Sequence, residues 1–218
     1  ELTMFQLTND GAVATYGDYA MDLAGTDVYN EMTTHDFDLI KDGKTLGIGY
    51  CYECFGIIVN KALLAKAGHD ISEITNFETL KAVAEDIHAR ADELGFDAFT
   101  NAGLADSSSW RFTGHLITVP LHYEGITSKT EIKGTYLNEY KNIWDLYLNN
   151  SATDKVANNE AGDGAEAEFG EGKAVFYQNG SWEYSALTTN YGMNADDLQM
   201  IPLYCGHAGE ENAALCSG

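Results

Sequence analysis

Basic residues are scarce in this chain, in which 12 Lys and Arg stand against 34 Asp and Glu. The formal net charge of −22 at pH 7 repels nucleic-acid phosphates and the headgroups of anionic membranes. We therefore expect no nucleic-acid partner. The acidic residues are spread along all 218 residues and form no tail, which is typical of a solvated surface.

Long apolar runs and catalytic signatures are also missing. No stretch approaches the ~20 apolar residues of a membrane-spanning helix, and no basic-then-apolar signal segment opens the printed sequence. The sequence contains no G-x-S-x-G, no H-E-x-x-H, no phosphate-binding glycine loop and no G-x-G-x-x-G after a strand. The six histidines are scattered. These absences argue against an enzyme, and we predict no catalytic residue, cofactor or metal.

The cysteines are few, and their spacing is ambiguous. Cys51 and Cys54 have the C-x-x-C spacing of a redox pair or of half a zinc site. However, they lead into residues 55–59, an apolar run that predicts a strand. In a strand, positions i and i+3 face opposite ways, so the two thiols would not meet readily. No second pair completes a zinc site. Cys205 and Cys216 flank a Gly-rich turn, which leaves a disulfide between them open.

Apolar periodicity predicts alternating helices and strands. The strongest helical stripe covers residues 76–94, which Asn76 can cap and Gly95 can end, and a second stripe covers residues 137–148. This alternation predicts an α/β fold with a mainly parallel sheet. Further strands are predicted at residues 44–50, 55–59, 96–100, 174–177 and 198–204.

The most informative segment joins an apolar strand, residues 174–177, to a helix start through an Asn-Gly turn. Ser181 can cap that helix. Its first turn would present Trp182, Glu183 and Tyr184 at the rim of a sheet, where ligand clefts of α/β proteins lie. The alternative is a Trp buried in the core at a helix start.

Glu53 lies where one predicted strand, residues 44–50, hands over to the next. A carboxylate between Tyr52 and Phe55 can accept hydrogen bonds from ligand hydroxyls, or it can cap neighbouring backbone as a structural group. The 13 tyrosines and 3 tryptophans include several at predicted element ends. Such rings pack on the C–H faces of sugars, although the same excess can serve core packing or a protein interface.

Three segments, in chain order, resemble one family. Residues 47–68 follow its pattern hydrophobic-P-x-x-x-E, then Y-N-K-x-L-x-x-x-G, and residues 76–94 are similar to its T-W-x-E-L helix. Residues 169–187 are similar to its F-x-x-G-K-A-A-M-x-x-N-G-x-W segment. These patterns are typical of family 1 extracellular solute-binding proteins of sugar ABC importers, the maltose-binding-protein type. Gly49 and Ser181 stand where prolines are usual.

The resemblance implies a periplasmic-binding-protein-like fold of type II, in which two α/β lobes with mainly parallel sheets surround a ligand cleft. It implies that Glu53 binds sugar hydroxyls and that Trp182 stacks on the ligand. Trp110 falls where an aromatic residue of the second lobe stacks. The other candidate ligand-binding residues are Asn9, Asp10, Tyr52, Arg111, Glu183 and Tyr184.

The resemblance also divides the chain: residues 1–53 would belong to the first lobe, 54–178 to the second, and 179–218 would return to the first. Because members of the family are longer, we expect a fragment with an incomplete first lobe. The bacterial parent protein would be an extracytoplasmic monomer, periplasmic or a cell-surface lipoprotein. Its hinge closure would signal the bound state to an ABC permease.

Three hypotheses on function follow. The first is a receptor that captures a mono- or oligosaccharide and is not an enzyme. The second keeps the fold but changes the ligand to a peptide, a polyamine or another small solute. The third is a glycoside-acting enzyme that uses Glu53 and Glu183, whose carboxyl groups would then lie either ~5 Å or ~6.5–9.5 Å apart.

Overall fold

The computed structural model describes residues 13–49, 53–105, 108–126, 132–160 and 164–217. The predictions for Asn9, Asp10, Cys51 and Tyr52 lie outside these residues. The strands β1 to β7 are Leu39–Lys41, Lys44–Gly47, Cys54–Asn60, Asp97–Phe99, Ala174–Gly180, Leu198–Ile201 and Cys216–Ser217. The helices α1 to α9 are Asp27–Glu31, Lys61–Lys66, Phe77–Ala89, Ala91–Leu94, Leu116–Tyr123, Leu137–Asn149, Lys155–Glu160, Ala165–Gly170 and Glu183–Thr189.

Local capping signals set the bounds of the best-predicted helices. The Asn60 side chain accepts a hydrogen bond from the Leu63 N–H at 3.1 Å and so begins α2. Asn76 and Thr79 form a reciprocal capping box at the start of α3. Gly95, with φ of +79°, ends α4 in the left-handed conformation that glycine adopts without strain. Helices α3 and α4 together cover the predicted residues 76–94, although the single helix that was predicted is interrupted at Arg90.

The described sheet is mixed, which confirms the α/β class and corrects the expected predominance of parallel pairs. Its strand order is β4-β5-β3-β6, with β7 beside the start of β3. β4 and β5 are parallel, whereas β3 is antiparallel to β5, β6 and β7. A continuous apolar run is typical of parallel strands because it reports burial on both faces, and here antiparallel β3 and β5 are covered on both faces as well. β1 and β2 form a separate antiparallel pair.

Two apolar clusters cover the two faces of this sheet. Ile57 belongs to the larger cluster and Ile58 to the smaller one, as expected for successive residues of one strand. Helix α3 packs on the larger cluster, and helix α8 packs on the smaller one. Within the described ranges, no helix is long and apolar enough to cross a membrane.

The predicted lobe boundaries stay predictions. The boundary at 53/54 coincides with the start of β3, and the boundary at 178/179 lies inside β5. The sequence left a disulfide between Cys205 and Cys216 open, and the structure does not form that bond. Cys205 is buried in the larger cluster, whereas Cys216 lies in β7 opposite Phe55.

A buried carboxylate connects the start of helix α3 to the loop between β6 and β7 through hydrogen bonds. Glu210, 3% exposed, accepts hydrogen bonds from the backbone N–H groups of Phe77 at 2.6 Å, Cys205 at 2.7 Å and Gly206 at 2.9 Å. Phe77 is the first residue of α3, where the exposed N–H groups favour a negative charge. This single side chain therefore joins the helix start to the segment that precedes β7.

Glu210→Ala should lower the free energy of unfolding by about 3 kcal/mol or more, because three N–H groups around the carboxylate would lose their acceptor. Urea unfolding should show a lower midpoint with an unchanged slope. Glu211→Ala, which changes the exposed neighbouring glutamate, should alter stability by less than about 0.5 kcal/mol. Equal effects of the two substitutions would contradict the anchoring role of Glu210.

Candidate functional site

Antiparallel pairing of β3 and β5 brings Glu53 and Trp182 to the same end of the sheet. Phe55 pairs with Gly180, and one step further Ser181 and Cys54 exchange two hydrogen bonds. The Ser181 N–H donates to the Cys54 carbonyl at 2.7 Å, and the Cys54 N–H donates to Ser181 Oγ at 3.1 Å. Glu53 and Trp182 each lie one residue beyond this bonded pair, and the Glu53 side chain is exposed.

The details of this junction correct two local predictions. The predicted Asn-Gly turn is wrong, because Asn179 and Gly180 are the last residues of β5 and pair with β3. Ser181 does not cap helix α9, since its hydroxyl accepts the hydrogen bond from Cys54 instead. The predicted order nevertheless holds, as Trp182 lies at the N-terminus of α9 and Glu183 in its first turn.

A π-helical turn brings a second indole to the same place. Trp110 directly precedes the turn Arg111–His115, which continues into α5. The wider π turn places residues five apart on one side of the helix, and such turns are frequent at functional sites. The ring centroids of Trp110 and Trp182 lie 6.1 Å apart with an interplanar angle of 44°. Trp110 is 44% exposed and Trp182 is half-buried.

His115 lies between these rings and the core. Its ring stacks on Phe55 at 4.0 Å and 12°, meets Trp110 edge-on at 4.9 Å, and lies 5.6 Å from Trp182. We call Phe55, Trp110, His115 and Trp182 the aromatic cluster. His115 was not among the predicted site residues, because the six histidines show no pattern in the sequence. The five-residue spacing from Trp110 to His115 is a signal only if a π turn is expected.

A buried amide holds the His115 ring. Gln178 Nε2 lies 2.9 Å from His115 Nδ1 and 3.4 Å from the Gly56 carbonyl oxygen. Gln178 is 1% exposed, and its polar side chain inside the apolar strand β5 is the sequence signal for this contact. Burial lowers the pKa of His115 from 6.5 to about 4; the Gln178 contact opposes this shift, and the Arg111 charge adds to it. The imidazole is therefore neutral at neutral pH.

Gly180 makes room for the Trp182 indole. A Cβ added at Gly180 would lie 2.2 Å from Cη2 and Cζ3 of that ring. The indole therefore lies across the Cα of residue 180, a position that only glycine allows without movement of the ring.

The remaining predicted site residues that the structure describes are not members of the aromatic cluster. Arg111 is 1% exposed; its Nη1 lies 3.5 Å from the Gln178 carbonyl oxygen, and its guanidinium lies 5.3 Å from the Tyr177 ring centre. Glu183 is half-buried beside Trp182. Tyr184, 55% exposed, lines a groove with Ile58 and other side chains of the smaller cluster. The ligand contacts of these residues stay predictions.

The chemistry of this sheet end is that of a binding surface with aromatic faces and carboxylates. Partly exposed indoles offer flat apolar faces, while Glu53 offers hydrogen-bond acceptors. Among the residues that the structure describes, no group of three or more His, Cys, Asp and Glu side chains could hold a metal ion.

Comparison with known proteins gives the family. The chain belongs to the bacterial extracellular solute-binding proteins, a family that matches residues 1–216. This confirms the resemblance seen in the sequence. A search of curated proteins found no match.

Solved structures share the fold. The GacH receptor of Streptomyces glaucescens aligns with a TM-score of 0.65 and 22% identity, over 91% of this chain and 51% of that one. RafE in complex with raffinose has a TM-score of 0.60 and 18% identity, over 92% and 54%. A chitin oligosaccharide binding protein has a TM-score of 0.58 and 22% identity, over 94% and 52%. The chain thus spans about half the length of these structures.

The buried histidine predicts a pH dependence of stability. Between pH 6.5 and about 4 the unfolded chain binds a proton at residue 115 that the folded chain does not. This residue's contribution to the free energy of unfolding should therefore be complete above this window. It should fall by on the order of 3 kcal/mol as the pH drops through the window.

Urea unfolding between pH 7 and pH 4 checks this, with wild type compared with His115→Phe. The Phe variant should lose less stability on acidification, whereas His122→Phe, at an exposed position of α5, should follow wild type. If the free energy of unfolding fell equally with pH in wild type and His115→Phe, the conclusion that the buried imidazole is neutral would be contradicted.

Proposed function

We propose that this chain forms part of a receptor that binds a mono- or oligosaccharide and delivers it to an ABC importer. One observation carries this proposal: Trp110 and Trp182, both partly exposed, lie 6.1 Å apart at the sheet end where Glu53 is exposed. Membership in an extracellular solute-binding family supports the receptor role.

Sugars match this surface chemically. A pyranose ring has an apolar C–H face that packs on an indole, and its hydroxyls need acceptors such as carboxylates. Three structural neighbours support the same class of ligand: GacH was solved with acarbose, RafE with raffinose, and the third is a chitin oligosaccharide binding protein. We expect binding between two lobes, with Glu53 and Glu183 as hydroxyl partners.

The family supports the rest of the proposal. The protein acts outside the cytoplasm, and lobe closure around the ligand presents it to the membrane permease. Its role is capture and release of an unchanged solute, so it performs no chemical reaction on its ligand. It works as a monomer.

Trp182→Ala should weaken sugar binding by about 1–3 kcal/mol, because it removes one stacking face. Isothermal titration calorimetry with raffinose, acarbose and chitin oligosaccharides measures the change. Trp144→Phe is the control, since Trp144 packs beside Phe112 and Tyr140 and is not a member of the aromatic cluster. If Trp182→Ala left every sugar affinity unchanged, the proposed site would be wrong.

Gly180→Ala should reduce sugar binding although it retains both tryptophans, because the new Cβ occupies the place of the Trp182 ring. Tryptophan fluorescence should change as the indole moves, while a cooperative urea-unfolding transition should show that the fold is kept. Normal affinity with unchanged fluorescence would contradict the position of the Trp182 ring.

A ligand panel separates the alternatives. Thermal shift with sugars, peptides and polyamines should show stabilisation by sugars. Stabilisation by spermidine alone would indicate that the ligand is a cationic solute, which is compatible with the acidic composition. Release of monosaccharides from a bound oligosaccharide would instead indicate the glycoside-acting alternative.

A further inference from the structure

His115 connects the two partly exposed indoles to the rigid part of the sheet. On one side it stacks on Phe55, which is 1% exposed and lies in β3. On the other side it contacts both Trp110 and Trp182. Each indole is attached to the start of a different helix, so the common contact with His115 adds a second link between them beside their direct ring contact.

The ring of His115 is itself held in one orientation. The stack on Phe55 has an interplanar angle of 12°, which sets the plane of the imidazole. The Gln178 amide, 2.9 Å from Nδ1, sets its rotation within that plane. Gln178 is held in turn by β5 and by its contact with the Gly56 carbonyl, so the ring is fixed by two neighbouring strands.

The tryptophans need such a support because they are not buried. Trp110 is 44% exposed, and an exposed side chain loses rotamer freedom when a ligand orders it. That loss costs about 0.5–1.5 kcal/mol for each side chain. A support that orders both rings before the ligand arrives removes this cost from binding.

We propose that His115, oriented by Gln178, is a positioning residue that holds the indoles of Trp110 and Trp182 at the separation and tilt in which one ligand contacts both. The proposal rests on the proposed sugar-binding function for its effect on affinity. Its effect on the geometry of the indole pair is independent of any ligand. His115 acts through the two tryptophans and needs no ligand contact of its own.

The ligand-free test uses the exciton couplet that two nearby indoles produce in far-ultraviolet circular dichroism. Trp110→Phe identifies the couplet by removing it. His115→Ala should weaken the couplet strongly, His115→Phe should restore most of it by keeping a ring stacked on Phe55, and Gln178→Met should weaken it although the imidazole remains. His122→Ala, on the same helix but outside the aromatic cluster, should leave it unchanged.

The binding test uses calorimetry with raffinose and chitin oligosaccharides on the same variants. His115→Ala should weaken binding about tenfold, the equivalent of two side chains that become ordered only on binding. His115→Phe should recover most of this loss. His122→Ala should bind as wild type does.

The outcomes separate the two proposals. If wild type binds no sugar while His115→Ala still loses the couplet, the proposed function fails and the positioning role stands. If His115→Ala and Gln178→Met both keep the couplet and a wild-type sugar affinity, the positioning role is overturned. If His115→Ala does not fold, the other two variants decide. The positioning role is then overturned if Gln178→Met keeps the couplet while His115→Phe loses it.

Discussion

The antiparallel pairing of β3 with β5 is the constraint on which the rest of the site depends. It sets Phe55 opposite Gly180 and lets Cys54 bond Ser181, so the start of one strand and the end of the other meet at one edge. Backbone hydrogen bonds fix this register, and a shift of one residue would turn every side chain to the other face. Glu53 and Trp182, distant in sequence, become neighbours of one bonded pair.

The site is built in layers on that pairing. The strands supply Phe55 and Gln178, which are almost fully buried and therefore rigid. His115 rests on both of them, and the exposed tryptophans rest on His115. The buried strand residues thus restrict His115, and His115 restricts the tryptophans, so a partly exposed site keeps a defined shape.

Much of the fold could be predicted from the sequence because its signals are local. The Asn76 capping box, the glycine at 95 and the apolar stripe between them act within a few turns of chain, and the helices form where these signals lie. The resemblance in residues 47–68 and 169–187 likewise gave the family, which the comparisons confirm. Strand direction was predicted wrongly because a continuous apolar run, which is typical of parallel sheets, also occurs in antiparallel strands whose two faces are both covered.

The net negative charge, the family and the best-capped helices follow from the sequence alone, which also named Glu53, Trp110 and Trp182 as candidate residues. The contacts of His115 with the indoles, of Gln178 with His115 and of Gly180 with Trp182 appear only in the folded chain. The difference comes from the separation along the chain over which each signal acts. Caps and periodicity act between residues close in sequence, whereas a ring contact depends on the packing of segments that lie far apart in the chain.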